Sequence, residues 1–147
     1  MSDSINVRLK LLPGGMLPRK MTPGSSGYDL FARLSEPIIL RPGEWKAIPV
    51  GFVIELPEGF EAQIRPRSGL ALRFGLAMLN SPGTIDSDYR GEVRVILANL
   101  GNEEVTIKNG DRVAQMIISR VYSCEFELIE ELTPTVRNEG GFGSTGV

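Results

Sequence analysis

The sequence predicts an all-β protein, built as a sandwich or barrel of many short strands. Its apolar residues recur in short runs or in alternation with polar residues, which is typical of strands. Glycine and proline turn signals separate these runs, and no strand–helix–strand repetition is present. The 147 residues are 41% hydrophobic and 23% charged, which favours one soluble globular domain with its own core.

The first half of the chain begins with a half-buried strand and a long loop. Apolar and polar residues alternate in Asn6–Leu11, whereas Pro13–Gly27 is rich in glycine, proline and serine. The further strands predicted in this half are Tyr28–Arg33, Ile38–Leu40, Trp45–Leu56 with a bend around Pro49 and Gly51, and Phe60–Arg65. One short helix is then expected over Leu70–Phe74, with Ser68 as its N-cap.

The second half continues with strands on both sides of a polar stretch. Leu76–Leu79 is predicted as a strand that leads into this stretch, Asn80–Glu92. Further predicted strands are Glu92–Asn99, Arg112–Ser119 and Val121–Leu128. Asn109-Gly110 is the strongest type of two-residue hairpin signal. Thr133–Val147 has little apolar content, so the end of the chain is expected to form a mobile tail.

Two features of the composition limit the chemistry of any active site. The chain has no histidine, so a carboxylate must perform any proton abstraction. Its one cysteine, Cys124, allows neither an intramolecular disulfide nor a Cys/His zinc site, and its apolar neighbours favour a small buried side chain. Any metal should be a hard cation such as Mg²⁺ with oxygen ligands. The net charge of −2 gives no reason to expect broad nucleic-acid binding.

Neither a membrane segment nor a secretion signal is expected. No apolar run is long enough for a transmembrane helix. Met1–Arg8 lacks the charged and apolar regions of a signal peptide. A cytoplasmic protein without a membrane partner is therefore the default expectation.

The stretch Asn80–Glu92 concentrates polar, acidic and aromatic side chains where a tight loop is expected. Asp86 and Asp88 are two residues apart, and Tyr89 follows directly. Binding and catalytic residues often lie on loops that a rigid sheet supports. Aspartate and serine beside glycine are also ordinary turn residues, and for this segment alone the turn interpretation is favoured.

Three other segments have the same double interpretation. Arg67-Ser68-Gly69 places a guanidinium, a hydroxyl and a glycine amide near a helix start, which suits an anion or a plain helix cap. Asp29 could support a metal or a turn. In Arg137–Gly146, glycine amides could wrap an anion and Phe142 could stack on a base, but such a tail is usually a flexible linker.

Together, five segments form an ordered pattern along the chain: Ser25–Ala32, Arg65–Ala71, Asn80–Glu92, Gly110–Ile117 and Arg137–Gly146. This pattern resembles the five motifs of the trimeric dUTPases, the dUTP nucleotidohydrolases. The resemblance spans nearly the whole chain, and its third and fifth motifs are specific. The chain differs from the family at Ser26, Phe74 and Asn138, where alanine, histidine and glycine are common.

The resemblance implies a distorted jelly-roll or β-clip-like barrel of short strands, with one short helix. It also implies a homotrimer whose active sites lie at the subunit interfaces. Residues 1–132 would form the β domain. Residues 133–147 would form a flexible glycine-rich arm that completes the site of a neighbouring subunit.

The activity implied by the resemblance is hydrolysis of dUTP to dUMP and pyrophosphate, with Mg²⁺ as cofactor. Asp86 matches the general base that activates water for attack on the α-phosphorus, and Asp29 matches a partner of Mg²⁺ through water. The positions that match substrate-binding residues are Arg67, Ser68, Gly69, Asn80, Thr84, Ile85, Asp86, Tyr89, Arg94, Gln115, Arg137, Phe142 and Gly143. Such an enzyme would keep uracil out of DNA and supply dUMP for dTMP synthesis.

Two other functions stay open at this point. A dCTP deaminase would need a glutamate that activates water at the cytosine ring, and Glu92 is a nearby carboxylate. A non-catalytic dUTP-binding module would bind the nucleotide without turnover. Asp88 has no assigned catalytic role, and its interpretation as a turn residue stands.

Overall fold

The computed structural model describes residues 4–146, and all but one of its regular elements are strands, as predicted. Its eleven strands and one helix follow in chain order as β1 Arg8–Leu11, β2 Tyr28–Phe31, β3 Ile38–Leu40, β4 Trp45–Pro49, β5 Phe52–Glu55, β6 Phe60–Arg65, α1 Ser68–Phe74, β7 Leu76–Met78, β8 Gly83–Ile85, β9 Arg94–Asn99, β10 Val105–Ile107 and β11 Arg112–Arg120. The all-β prediction with one short helix is therefore confirmed.

The strands form four small antiparallel sheets in a jelly-roll-like arrangement. Their orders are β1-β5, β3-β10, β2-β11-β6-β8 and β4-β9-β7. Within the described part of the chain these sheets stay separate, so no closed barrel is assigned. Neighbours in sequence often belong to different sheets, which is how the chain wraps around one core.

The core lies between the sheets and follows the alternation seen in the sequence. Along β6, Ala62 and Ile64 are buried while the residues between them are more exposed. Along β9, Val95 and Leu97 are buried and Arg94 is exposed. The larger of these side chains, Ile64, Val95 and Leu97, each contribute on the order of 1.5–3 kcal/mol when they are fully buried.

The predicted bend in Trp45–Leu56 separates β4 from β5. Gly51 has a φ of +74°, and a Cβ atom there would lie 2.6 Å from the Cα of Gly15. Only glycine fits both the left-handed backbone and this close approach. The bend sends β4 to the sheet of β9 and β5 to its pairing with β1.

The short helix begins earlier than predicted, because Ser68 is its first residue rather than its N-cap. Arg67 is the N-cap, with an extended backbone and no capping hydrogen bond from its side chain. The helix ends at Gly75, whose φ of +67° gives a left-handed C-cap. At seven residues this helix is too short to cross a membrane, and no helix in residues 4–146 could do so.

The hairpin expected at Asn109-Gly110 does not form, although the turn does. The backbone NH of Asp111 donates to Lys108 and that of Gly110 to Ala32, at 3.1 and 2.8 Å. The strands on either side then diverge, because β10 pairs with β3 and β11 pairs with β2 and β6. The local turn chemistry was predicted correctly, but the pairing is decided by distant strands.

The strand predicted over Val121–Leu128 is also wrong, since β11 ends at Arg120. Within the described residues no strand follows Arg120, and Tyr122, Phe126 and Leu128 have exposed fractions of 80%, 93% and 99%. Cys124 is exposed as well, which corrects its expected burial. The alternation of residue types is real, but no surface of the same chain covers the apolar side.

Candidate active site

A polar cleft forms where helix α1 begins. Its lining includes Arg67, Ser68 and Gly69 from the start of the helix, together with Asp29 of β2 and Gln115 of β11. The cleft has a volume of about 320 Å³. These five predicted site residues, which are far apart in the sequence, are therefore brought together.

Asp29 lies at the floor of this cleft between two guanidinium groups. Its carboxylate oxygens are 3.6 Å from Nε of Arg67 and 3.2 Å from a terminal nitrogen of Arg112. The side chain of Asp29 is 13% exposed, and that of Arg67 is 25% exposed. One carboxylate opposes two cations, so the cluster has a net charge of +1 and attracts an anion.

Gln115 fixes the chain that leads into the helix. It lies on β11 opposite Asp29 on one side and Arg65 on the other. Its amide nitrogen donates to the carbonyl of Pro66 at 3.1 Å, directly before Arg67. Gln115 thus holds the backbone that presents Arg67 to the cleft.

The second group of predicted residues lies on β8 and the loops beside it. The chain leaves β7 at Asn80, passes the cis Ser81-Pro82 peptide bond and enters β8. Asn80 is exposed, with its amide close to Gly83. On β8 itself Thr84 is exposed and Ile85 is buried. Ile85 therefore anchors the strand in the core, while the Thr84 side chain faces outward.

Asp86 follows β8 directly and its carboxylate is exposed. No ion pair involves it within the described residues. The backbone NH of Tyr89 donates to the carbonyl of Asp86 at 3.2 Å, which closes a turn. A carboxylate that is free of cationic partners and held on a short turn is suited to accept a proton from water.

Tyr89 is held against Gly91 and Glu92. Its hydroxyl donates to the carbonyl of Glu92 at 3.2 Å. A Cβ atom on Gly91 would lie only 2.3 Å from that hydroxyl oxygen, so the ring needs glycine at this position. The tyrosine ring stays 46% exposed and presents a flat surface to a ligand.

Arg94 begins β9, two residues beyond this loop, and is exposed. It lies opposite Pro49 of β4, in the sheet that includes β7. Its position next to the loop is compatible with a contact to the same ligand as Tyr89.

The cleft and the loop that follows β8, residues 86–92, lie in different parts of one chain. We call this segment the Asp86 loop. Strand β6 connects them, since it ends two residues before Arg67 and pairs with β8. Ile85 lies opposite Ala62, three residues before the end of β6, which is roughly 10 Å at the rise of a strand. Beyond Ile85 the chain runs further from the helix, so a single chain does not join Asp86 to the cleft.

The carboxyl-terminal segment forms only local hydrogen bonds within the described residues. Nε of Arg137 donates to the carbonyl of Gly140 at 2.6 Å. Phe142 has a fully exposed ring and a φ of +49°, and Gly143 follows with a φ of +85°. The third predicted group, Arg137, Phe142 and Gly143, therefore meets neither of the other two in one chain.

Asn138, one of the departures from the family pattern, fits its place well. It adopts a φ of +44°, a conformation that asparagine tolerates better than most residues. Its side-chain oxygen accepts from the NH of Thr135 at 2.8 Å, and its own NH donates to the hydroxyl of Thr135 at 3.0 Å. The asparagine therefore replaces glycine without loss of the turn.

Two ion pairs at or near the candidate site were not predicted from the sequence. The pairing of Arg112 with Asp29 had no signal in the sequence, because 83 positions separate them. Arg33 pairs with Glu92 at 3.0 Å across 59 positions. No cluster of three metal-binding side chains is found in residues 4–146.

Comparisons with known proteins identify the family of this chain. The dUTPase family model matches residues 15–146. The deoxyuridine 5'-triphosphate nucleotidohydrolase of Thermoanaerobacter sp. is 56% identical over 89% of this chain and 88% of its own, and that of Treponema denticola is 52% identical over 97% and 99%. The dUTPase of Staphylococcus bacteriophage 80alpha, solved with dUPNHPP, has 26% identity and a TM-score of 0.85 over 98% of this chain and 100% of its own. The chain therefore belongs to the dUTPase family.

Proposed function

We propose that the protein hydrolyses dUTP to dUMP and pyrophosphate, by attack of an activated water on the α-phosphorus. Membership of the dUTPase family supports the reaction. The observation that carries the proposal is the carboxylate of Asp86, which is exposed and has no ion pair within residues 4–146, in a chain without histidine. The activity would keep uracil out of DNA and supply dUMP for dTMP synthesis.

Asp86 serves as the general base. The water gives its proton to the carboxylate while its oxygen bonds to the α-phosphorus. The bond between the α-phosphorus and the oxygen that bridges to the β-phosphate then breaks, and pyrophosphate leaves. Phosphoryl transfer depends mainly on positioning and charge neutralisation, which the rest of the site provides.

The cleft at helix α1 binds the phosphates. Arg67 supplies a guanidinium, while Ser68 and Gly69 supply a hydroxyl and backbone amides at the helix start. Gln115 and Arg112 lie beside them. The positive balance around Asp29 supports a polyanionic ligand in this cleft.

The Asp86 loop and the residues beside it bind the nucleoside. Asn80, Arg94 and the backbone of Thr84–Asp86 bind uracil, and a wrong base leaves buried polar groups without partners. Tyr89 packs on the deoxyribose, where a 2′-hydroxyl has no room. Its ring is placed for such a contact by the hydrogen bond to Glu92.

Mg²⁺ is the proposed cofactor, and it neutralises charge on the triphosphate when bound. The donor set fits an ion that the phosphates carry rather than one held by a protein cage, because residues 4–146 contain no cluster of three metal-binding side chains. Mg²⁺ commonly keeps several waters and few protein ligands. Asp29, in the floor of the cleft, is the carboxylate that would accept a hydrogen bond from a metal-bound water.

A homotrimer with composite sites is part of the proposal, since the cleft and the Asp86 loop belong to one site only if different chains supply them. The exposed apolar residues at 121–132 support a packing surface on another subunit. Residues 133–147 act as the arm of a neighbouring site, with Phe142 over uracil and Arg137 and Gly143 near the phosphates. Residues 1–132 form the β domain; residues 1–3 and 147 lie outside the described part of the chain.

The dCTP deaminase alternative is not favoured. Its candidate glutamate, Glu92, is engaged by Arg33 at 3.0 Å and its side chain is only 18% exposed. A carboxylate that is paired within its own chain is poorly placed to activate water. A non-catalytic binding module would differ from the proposed enzyme only in turnover.

Pyrophosphate release with dUTP, dCTP, dTTP and UTP in the presence of Mg²⁺ tests the proposal. Only dUTP should be turned over efficiently, and Asp86→Asn should lower turnover by about 10²–10⁴-fold while a non-hydrolysable dUTP analogue still binds. Near-normal turnover by Asp86→Asn would show that Asp86 is not the base. Ammonia release from dCTP would favour the deaminase.

A cytoplasmic location is proposed together with this nucleotide substrate.

A further inference from the structure

One ion pair at the end of the Asp86 loop has no role in the proposed function. A terminal nitrogen of Arg33 is 3.0 Å from a carboxylate oxygen of Glu92. The two side chains are 33% and 18% exposed, so solvent screens this pair less than the other pairs of the β domain that lie on the open surface. The pair therefore connects the loop to a distant part of the chain.

Arg33 is itself held in place, which makes it a firm support. Its Nε donates to the carbonyl of Pro13, and its backbone NH donates to Pro49 at 2.8 Å. Its side-chain stem lies against Gly51, where a Cβ atom would come within 2.7 Å of Cδ. The guanidinium therefore has few other orientations available.

Glu92 transmits this support to Tyr89 through its backbone. The carbonyl of Glu92 accepts the hydrogen bond from the Tyr89 hydroxyl at 3.2 Å. The next residue, Val93, is fixed by backbone bonds to Phe52 and Val50 at 3.0 and 3.2 Å. The Val93 NH and the Glu92 carbonyl belong to one peptide group, so the sheet holds that group on one side of the Glu92 Cα, and the ion pair with Arg33 holds the side chain on the other.

We propose that the Arg33–Glu92 pair is a positioning pair that sets the Tyr89 ring for discrimination between deoxyribose and ribose. This inference rests on the proposed function, because it assigns Tyr89 to the sugar. The proposed function assigns neither residue to the attacking water, the phosphates or uracil. Their effect passes through the Glu92 carbonyl to the Tyr89 hydroxyl.

The test compares the preference for dUTP over UTP, as the ratio of kcat/KM values, in full-length enzyme. Arg33→Met should lower this preference about 10-fold, mainly through a lower KM for UTP with kcat for dUTP nearly unchanged, because a displaced ring leaves room for the 2′-hydroxyl. Arg33→Lys keeps a cation for Glu92 and should restore part of the preference. Glu92→Gln, which leaves Arg33 without a carboxylate, should behave like Arg33→Met.

A double-mutant cycle separates positioning from a general loss of structure. Tyr89→Phe removes the hydroxyl that bonds to the Glu92 carbonyl. In that background, Arg33→Met should therefore cause little additional change in the preference for dUTP over UTP. Additive losses in the double variant would overturn the proposal. The control is Arg41→Met, which breaks an exposed pair with Glu104 at 3.7 Å on another sheet and should leave the preference unchanged.

The proposal and the proposed function can fail separately. Absence of dUTP turnover in the wild-type protein would reject the function. The ratio of affinities for non-hydrolysable analogues of dUTP and UTP would still test the pair without turnover. If Arg33→Met keeps both the wild-type preference and the wild-type affinity ratio, the pair has no role in sugar discrimination.

Discussion

Replacing Asp29 by asparagine is expected to weaken the fold around the cleft and, because the net charge of the cluster rises from +1 to +2, to strengthen the binding of free pyrophosphate. The change removes the single negative charge between Arg67 and Arg112, at 3.6 and 3.2 Å from them. The two guanidinium groups would then face each other without a counter-ion. Arg67 would still donate to the carbonyl of Arg112 at 3.4 Å, but the Arg112 guanidinium would lose its ion pair.

The size of the effect follows from the burial of the three groups. Removing one partner of a buried pair costs about 3–5 kcal/mol. The Arg112 side chain is 42% exposed, so water screens part of the loss, and we expect about 2 kcal/mol. For a chain of this length that corresponds to a fall in Tm of roughly 4–8 °C.

The assays are thermal unfolding at fixed protein concentration and calorimetric binding of pyrophosphate without Mg²⁺. Omitting the metal isolates the effect on the arginines from any effect on a metal-bound water. Asp88→Asn is the matched control, because Asp88 is an exposed aspartate with no ion pair among the described residues. A Tm within 1 °C of wild type (roughly 0.3 kcal/mol), together with unchanged pyrophosphate affinity, would refute the reasoning.

Three further changes test other parts of the site. Gly91→Ala should displace Tyr89, since the new Cβ would lie 2.3 Å from its hydroxyl. The lost hydrogen bond to Glu92 should lower the preference for dUTP over UTP roughly 2–10-fold. An unchanged preference would contradict a role of this hydrogen bond in placing Tyr89. Deleting residues 133–147 should lower kcat/KM for dUTP about 100-fold without changing Tm, and full activity would exclude a closing arm. Serine at both Phe126 and Leu128 should dissociate the assembly, because each side chain contributes about 1.5–3 kcal/mol when buried by a neighbour; an unchanged sedimentation coefficient would argue against that packing.

Local patterns in the sequence were sufficient for most of the fold. Alternation predicted β6 at its observed limits, and turn residues predicted the break at Gly51. These features depend on residues that are close in sequence, such as the apolar side chains of one strand face. The prediction failed where pairing depends on distant strands, as at Asn109-Gly110, where β10 and β11 join different sheets.

The strand predicted over Val121–Leu128 shows another limit of local patterns. Alternating residue types indicate that one side of a segment will be covered, but not by which surface. In the single chain Phe126 and Leu128 remain almost fully exposed. The expected burial of Cys124 failed for the same reason.

The sequence named residues that the fold brings together, but it did not indicate how they are arranged. The resemblance of five motifs identified Arg67, Gln115 and Asp29, which the fold brings into one cleft. The ion pairs of Asp29 and of Arg33 were not predictable, because each joins residues more than 35 positions apart in the sequence. Such contacts depend on the register of strands that no local pattern fixes.

The separation of Asp86 from the Arg67 cleft along β6 has a genetic consequence. If each site takes Asp86 from one subunit and Arg67 from another, two inactive proteins can complement each other. A mixed trimer of Asp86→Asn and Arg67→Ala chains would contain one site in which both side chains are intact. Mixing the two after unfolding and refolding them together should therefore recover activity that neither has alone.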